Sequence, residues 1–368
     1  MSTVFTVVPR LPPSTDGVGD YSLYLARKLY QDFGLKTHFI VCDPLWETHD
    51  EVQGFQVTHL KEQSKSALLQ LLQTDFPETA QLFLHYVGYG YAQWGCPNWL
   101  LNALEIWRSQ AENKLITMFH ELYALPGKKP WKHQFWNSHV QQSVTKKLAQ
   151  ISDYSITSGQ QYAEILDRFR AKPDYPTPFF PVFSTVGELT QVPSWDDRAP
   201  NLIIFGQASN KRRAYTESQE QIQAICQKFQ IQEIIDVGPP TGLSLTSLGT
   251  TPFREAGKLT IEEINVLFSR SRLGFFNYNT DYLAKSTIFA AYCTYGLLPI
   301  SATQSSHSYD GILSGCHYWS LGNNHNDFPQ QIVDQAHQWY QSHSLSAQAG
   351  YFAKILMTDR SALSSSNF

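Results

Sequence analysis

Short apolar runs alternate with helix-length stretches along the whole chain, and this alternation restricts it to a parallel α/β fold. Two parallel strands cannot be joined by a tight turn. Each needs a crossover, usually a helix, that returns the chain to the same end of the sheet. In the first half the runs fall at Val4–Val8, Thr37–Cys42, Gln81–His85, Leu115–Phe119 and Tyr154–Thr157. Helical stretches separate them at Tyr21–Phe33, Ser66–Gln73, Trp99–Gln110 and Val140–Ile151. The pattern then restarts with runs at Asn201–Phe205, Glu233–Val237, Leu273–Phe276 and Leu297–Ile300. Its helices are expected at Glu217–Phe229, Ile261–Arg270 and Thr287–Tyr295. Between the halves, Lys172–Pro200 is rich in proline, lacks periodicity and reads as a linker. A chain of 368 residues exceeds the usual domain of about 100–200. The reading is therefore two Rossmann-like α/β domains, 1–185 and 186–345, facing a cleft of the kind in which ligands bind.

Composition removes several alternatives. The formal charge of −4 gives no overall attraction to nucleic acid, and none is expected as a partner. No apolar run approaches the roughly 20 residues that span a bilayer. Met1-Ser2-Thr3-Val4-Phe5 leads straight into a strand, without the features of a signal peptide. Cys42, Cys96, Cys226, Cys293 and Cys316 are odd in number and scattered. They read as reduced thiols in a cytoplasmic protein, and no Cys-x-x-Cys points to zinc.

The first strand–helix junction carries the glycine-rich segment Pro12-Pro13-Ser14-Thr15-Asp16-Gly17-Val18-Gly19-Asp20-Tyr21. Such a loop brings backbone N–H groups and a positive helix end to one point, which suits phosphate. A dinucleotide fingerprint would need a short loop, a third Gly or Ala, and an acid roughly 20 positions on. Asp43 is placed for the acid, but Ser22 holds the third position and the loop is long, which disfavours nicotinamide or flavin.

Several segments, in order, resemble the retaining nucleotide-sugar glycosyltransferases of the GT-B fold, most closely glycosyltransferase family 4. They are the glycine loop; Phe119-His120-Glu121-Leu122-Tyr123-Ala124; Phe205-Gly206-Gln207-Ala208-Ser209-Asn210-Lys211-Arg212-Arg213; and Ile235-Asp236-Val237-Gly238. The succession from Leu259 through Ala284-Lys285-Ser286-Thr287 to Tyr295-Gly296-Leu297-Leu298-Pro299-Ile300 completes the match. The resemblance implies a nucleotide diphosphate sugar as donor and transfer of a hexose with retention onto a saccharide or lipid-linked acceptor. It also implies an N-terminal acceptor-side domain and a C-terminal donor domain. The last segment, 346–368, would hold a helix, about Leu345 to Met357, that crosses back ahead of a disordered serine-rich tail. Two family glutamates would fall at Leu283 and Ala291, and a family arginine at Gln207. These departures leave open a non-catalytic nucleotide-sugar-binding relative, beside an epimerase on the same architecture.

Transfer from such a donor gathers negative charge on the leaving diphosphate, so cations and N–H donors are needed there. On the donor side the resemblance points to Gly17, Gly19, Gly206, Lys211, Arg212, Arg213, Lys285, Ser286 and Thr287. The three consecutive cations read as a basic loop, with a solvated turn as the alternative. Ser286 reads equally as a helix N-cap. His120 is the expected catalytic residue, with Glu121 beside it as a partner or sugar-hydroxyl clamp. Asp16, Tyr89 and Glu121 are expected near the acceptor, and Asp20 is the preferred cap of the first helix. Without an Asp-x-Asp motif, neither a metal nor a cofactor is expected. Lys128-Lys129-Pro130-Trp131-Lys132-His133-Gln134-Phe135-Trp136 reads as a peripheral membrane contact or as the start of an amphipathic helix.

Overall fold

In the computed structural model, residues 3–14, 16–75, 81–110, 113–124, 133–170, 175–321 and 328–358 are described, the side chains of 75 and 133–135 excepted. The chain divides into two compact units, Met1–Phe180 with Gln348–Phe368, and Pro181–Ala347. Each contains its own seven-stranded sheet, so the two α/β halves that the alternation implies are separate.

In the first unit the strands are β1 (Thr3–Val8), β2 (Lys36–Val41), β3 (Glu51–Val52), β4 (Phe55–His59), β5 (Gln81–Tyr86), β6 (Lys114–Phe119) and β7 (Tyr154–Thr157). Their order across the sheet is β3-β4-β2-β1-β5-β6-β7. All described pairs are parallel except the β3–β4 hairpin. Gln53 and Gly54 turn that hairpin with φ of 51° and 87°, the two left-handed residues that a tight hairpin turn requires. The helices are α1 (Gly17–Phe33), α2 (Lys65–Gln70, continued by a π turn to Asp75), α3 (Gly88–Tyr91), α4 (Asn98–Ser109), α5 (His133–Ile151) and α6 (Gln160–Arg170). Covered on both faces, β6 is buried at every position, which is why it reads as an unbroken apolar run.

The second unit repeats the plan with β8 (Ala199–Phe205), β9 (Glu233–Val237), β10 (Ser247–Leu248), β11 (Thr251–Gly257), β12 (Ser271–Phe276), β13 (Leu298–Ser301) and β14 (Trp319–Ser320). Their order is β10-β11-β9-β8-β12-β13-β14. Its helices are α7 (Ala208–Glu217), α8 (Gln219–Lys228), α9 (Ile261–Arg270), α10 (Thr287–Tyr295) and α11 (Pro329–Gln341). A capping box between Thr260 and Glu263 starts α9, and the left-handed Gly296 ends α10. The final helix, α12 (Leu345–Met357), belongs to the first unit from Gln348 onward. There Tyr21 Oη donates to Gln348 Oε1 at 2.6 Å, Phe352 packs on Phe83, and Lys114 Nζ donates to the Ile355 carbonyl at 2.6 Å.

Two expectations are corrected at this level. Helix α1 starts at Gly17 and not at Tyr21, because a cap at Asp16 draws both glycines into the first turn. The basic segment after β8 is no loop: Lys211, Arg212 and Arg213 sit within α7.

Tyr292 ties the centre of the second sheet. Its hydroxyl accepts from Phe205 N and donates to the Phe275 carbonyl, both at 3.1 Å, so the ring bridges β8 and β12. A methyl group on Gly274 would stand 2.6 Å from that ring, which its hydrogen bonds hold in place. Gly274→Ala is therefore expected to destabilise the protein by about 1–3 kcal/mol or more. Gly17→Ala has nothing within 4 Å and should change stability by less than about 0.5 kcal/mol. Denaturant unfolding followed by circular dichroism tests the contrast, and equal stabilities would refute it.

Candidate functional site

Both sheets place their first strand in the middle. The chain leaves β1 toward β2 and later returns to the other side at β5; in the second unit it leaves β8 toward β9 and returns at β12. At such a switch point the connections part and leave a crevice beyond the carboxyl ends of the strands. Helices α1 and α7 are the next elements after β1 and β8, and α10 follows β12 after a 3-10 turn at Thr280–Lys285, so their N-termini open at these two places.

In the second unit the crevice is lined by Phe205, Asn210, Lys211, Asn277, Ser286 and Ile288, among others. Glycine is required at its floor. Gly206 has φ 136°, and a side chain there would meet Ile288 Cδ1 at 2.8 Å. Gly238, with φ 122°, lies so close that any Cβ would run into the Gly206 carbonyl. Ser286 caps α10, its Oγ accepting from Phe289 N at 3.2 Å, while Ala290 N donates to the Ser286 carbonyl. The N–H groups of Thr287 and Ile288 make no hydrogen bond among the described residues. A nine-residue helix thus presents two backbone donors at its positive end, with Lys285 next in the chain.

The three cations of α7 do three different things. Successive helical residues point about 100° apart, so they cannot converge on one anion as a loop could. Lys211 is buried against the crevice and pairs with Asp236 Oδ1 on β9, while Tyr215 Oη donates to the other carboxylate oxygen. Burial, and next the charge of Asp236, raise the Tyr215 hydroxyl far above its ordinary pKa, so it remains a donor. Arg212 donates through Nε to the Thr241 carbonyl at 3.0 Å. Arg213 is solvated and faces Glu217 at 3.4 Å. Only Lys211 of the three lines the crevice. Leu283 and Ala291 are buried in the apolar interior, and Asp281 accepts from the Ser305 hydroxyl.

In the first unit the glycine loop is closed by its own carboxylate. Asp16 Oδ1 accepts from Val18 N at 2.9 Å and Gly19 N at 2.8 Å, so Asp16 is the cap, not Asp20. The N–H of Gly19 is therefore spent within the chain. Gly19 is glycine because its Cα faces the Arg10 carbonyl too closely for a side chain. Burial, and next the charge of Asp16, push the Asp20 carboxyl up.

His120 lies at the end of β6 with His85, at the end of β5, as its neighbour. His85 Nδ1 and His120 Nε2 are 3.0 Å apart, a hydrogen bond whose donor depends on the tautomers. Tyr21 closes over the pair, its ring edge-on to His120 with centroids 4.9 Å apart. Burial, and next the charge of His120, hold His85 well below the usual histidine pKa. Glu121 is exposed, whereas His120 is buried. His85 was missed as a site residue; the only trace in the sequence is a histidine closing an apolar run. Tyr89 is exposed on α3, and its hydroxyl accepts from Gln141 Nε2 at 3.1 Å. Of the basic aromatic segment, residues 128–132 and the side chains of 133–135 lie outside the described residues, as does the serine-rich tail.

No protein-family model matches this chain, and no curated protein sequence does so significantly. Solved structures do match over nearly the whole length. Sucrose-phosphate synthase from Thermosynechococcus elongatus is 12% identical with a TM-score of 0.60, over 97% of this chain and 99% of that one. The N-terminal domain of Candida albicans trehalose-6-phosphate phosphatase is 10% identical with a TM-score of 0.57, over 96% of each chain. An alpha-glucosyltransferase solved with UDP-glucose and DNA containing an abasic site is 12% identical with a TM-score of 0.52, over 96% and 98%. The chain has the GT-B fold.

Two measurements follow from these arrangements. Removing one partner of a buried ion pair leaves an uncompensated charge, so Asp236→Ala and Lys211→Ala should each cost about 3–5 kcal/mol of stability. The double change Lys211→Ala/Asp236→Ala should cost less than the sum of the singles in a double-mutant cycle. Strict additivity would mean the pair is not formed. A histidine held neutral by burial gains its proton on unfolding, so its contribution is complete above about pH 6.5 and is lost as pH falls below it. His85→Phe should flatten that acid slope, which is up to about 1.4 kcal/mol per pH unit for one histidine. An unchanged slope would refute a neutral His85.

Proposed function

We propose that the protein is a glycosyltransferase that moves a hexose from a nucleotide diphosphate sugar to a saccharide or lipid-linked acceptor, with retention and without metal or cofactor. The observation that carries this reading is the crevice between β8 and β12. There Ser286 and Ile288 at the start of α10 line the same crevice as Lys211, and the N–H groups of Thr287 and Ile288 have no partner among the described residues, at the position in the sheet where such folds take phosphates. These donors are held in place before any reaction, so they stabilise charge that develops on a leaving diphosphate without reorganising. The fold shared with an alpha-glucosyltransferase solved with UDP-glucose supports the same substrate class.

In this reading Thr287 and Ile288 hold the phosphates through their backbone. Lys211 gives field rather than contact, since Asp236 already holds it. His120, oriented by its hydrogen bond with His85, serves the transferred sugar as a hydrogen-bonding group. A second reading, binding without turnover, is favoured by one observation: Leu283 and Ala291 put buried apolar side chains where the related enzymes carry carboxylates.

Calorimetry with UDP, GDP and ADP sugars, followed by hydrolysis and transfer assays, separates the readings. Transfer supports the first, and binding with no turnover under any acceptor supports the second. Donor turnover without acceptor would point to an epimerase. Thr287→Pro is the sharpest variant, because proline suits the first helical position yet removes one N–H donor. It should lower the rate roughly a hundredfold or more with the fold intact. Ser286→Ala should do less, and Arg213→Ala nothing measurable. If Thr287→Pro leaves donor binding and turnover unchanged, the phosphates do not sit at α10.

A further inference from the structure

One face of α5 carries side chains that the nucleotide-sugar reading does not use. Its exposed positions include Trp136, His139, Val140, Ser143, Lys146 and Lys147, whose spacing places them on one stripe of the helix. The opposite stripe, with Val144, Leu148 and Ala149, is buried in the core of the first unit. Trp136 is 63% exposed and Val140 42%. The loop before α4 runs alongside this apolar end. Gln141 Nε2 donates to the Trp94 carbonyl at 2.8 Å, and Cys96 Sγ lies 3.8 Å from the Asn137 carbonyl. Trp94 is 59% exposed, and Tyr89, which accepts from the same Gln141, is 52% exposed.

Charge separates this face from the rest of the protein. The whole chain has 32 acidic and 28 basic residues, yet between Glu121 and Asp153 there is no aspartate or glutamate. The stripe therefore offers indole and aliphatic groups at one end and two lysines at the other, with no carboxylate on the helix. Indole rings settle at the headgroup level of a bilayer, where an apolar body and a polar N–H are both accommodated, and lysines are drawn to anionic headgroups.

We propose that this face of α5, with Trp94 and Tyr89, docks reversibly on an anionic lipid bilayer. A nucleic-acid surface would call for more cations and fewer aliphatic groups. A second copy of the chain would not account for the missing carboxylates. The surface is independent of the nucleotide-sugar reading, since no nucleotide enters the test and either conclusion can fail alone.

The experiment is co-sedimentation of the full chain with phosphatidylcholine vesicles, with and without phosphatidylglycerol, beside a DNA duplex control. Binding is expected to the anionic vesicles alone, with a blue shift of tryptophan emission, and is expected to be lost in about 0.5 M salt. Trp94→Ser/Trp136→Ser should weaken it at least tenfold, and Lys146→Gln and Lys147→Gln roughly fivefold each. All four positions are exposed, and unchanged thermal melts will verify that the variants fold. Absence of vesicle binding, equal binding to neutral vesicles, or insensitivity to these substitutions would overturn the proposal. So would preferential binding to DNA, or loss of self-association by the tryptophan variants in sedimentation equilibrium.

Discussion

A parallel sheet must be covered on both faces and must be re-entered from the same end at every strand, and the rest of this molecule follows from that constraint. Covering both faces forces the central strands to be apolar throughout, as in β6. Re-entry forces a helix into nearly every connection. Building outward from a central first strand forces the connections to part beside it, between β1 and β5 and between β8 and β12. The candidate chemistry stands at those partings because nothing else in such a sheet leaves backbone donors and strand ends facing open space.

The two partings differ in how their polar groups are settled. At β8 and β12 the glycines let the backbones close in, and the cap at Ser286 satisfies one donor of α10 while the two before it have no partner among the described residues. At β1 and β5 the loop glycines are drawn into α1 by Asp16, and the polar interest passes to two histidines brought together by neighbouring strands. Charge is handled differently as well. Lys211 is neutralised by Asp236 within the second unit, whereas His85 is held neutral by burial and next by the charge of His120, 3.0 Å away.

Much of the architecture was legible in the sequence because it rests on local periodicity. Ile261–Arg270 and Thr287–Tyr295 are helices to the residue, since capping and breaking signals flank them, and the helix expected at about Leu345 to Met357 is present. Details that depend on direction were less legible. Lys211, Arg212 and Arg213 read as one cluster along the chain, but helical geometry sends them to a buried carboxylate, a carbonyl and the solvent. The choice between Asp16 and Asp20 as cap moves the helix start by four residues, about one turn, and helix ends are where sequence signals are weakest. His85 was invisible as a partner of His120 because the two are 35 residues apart and meet only through the β5–β6 pairing.

The last helix bears on how the protein is made. Gln348 bonds a tyrosine 327 residues earlier, and the Ile355 carbonyl takes a lysine proton from 241 residues earlier. On a ribosome the N-terminal sheet emerges first, long before its closing helix has been translated. The second unit, contiguous in sequence, is complete while the first still lacks the side chains that cover Phe83 and Lys114. The unit that begins the chain is thus the one finished last, and through most of synthesis it holds an apolar face waiting for the C-terminus.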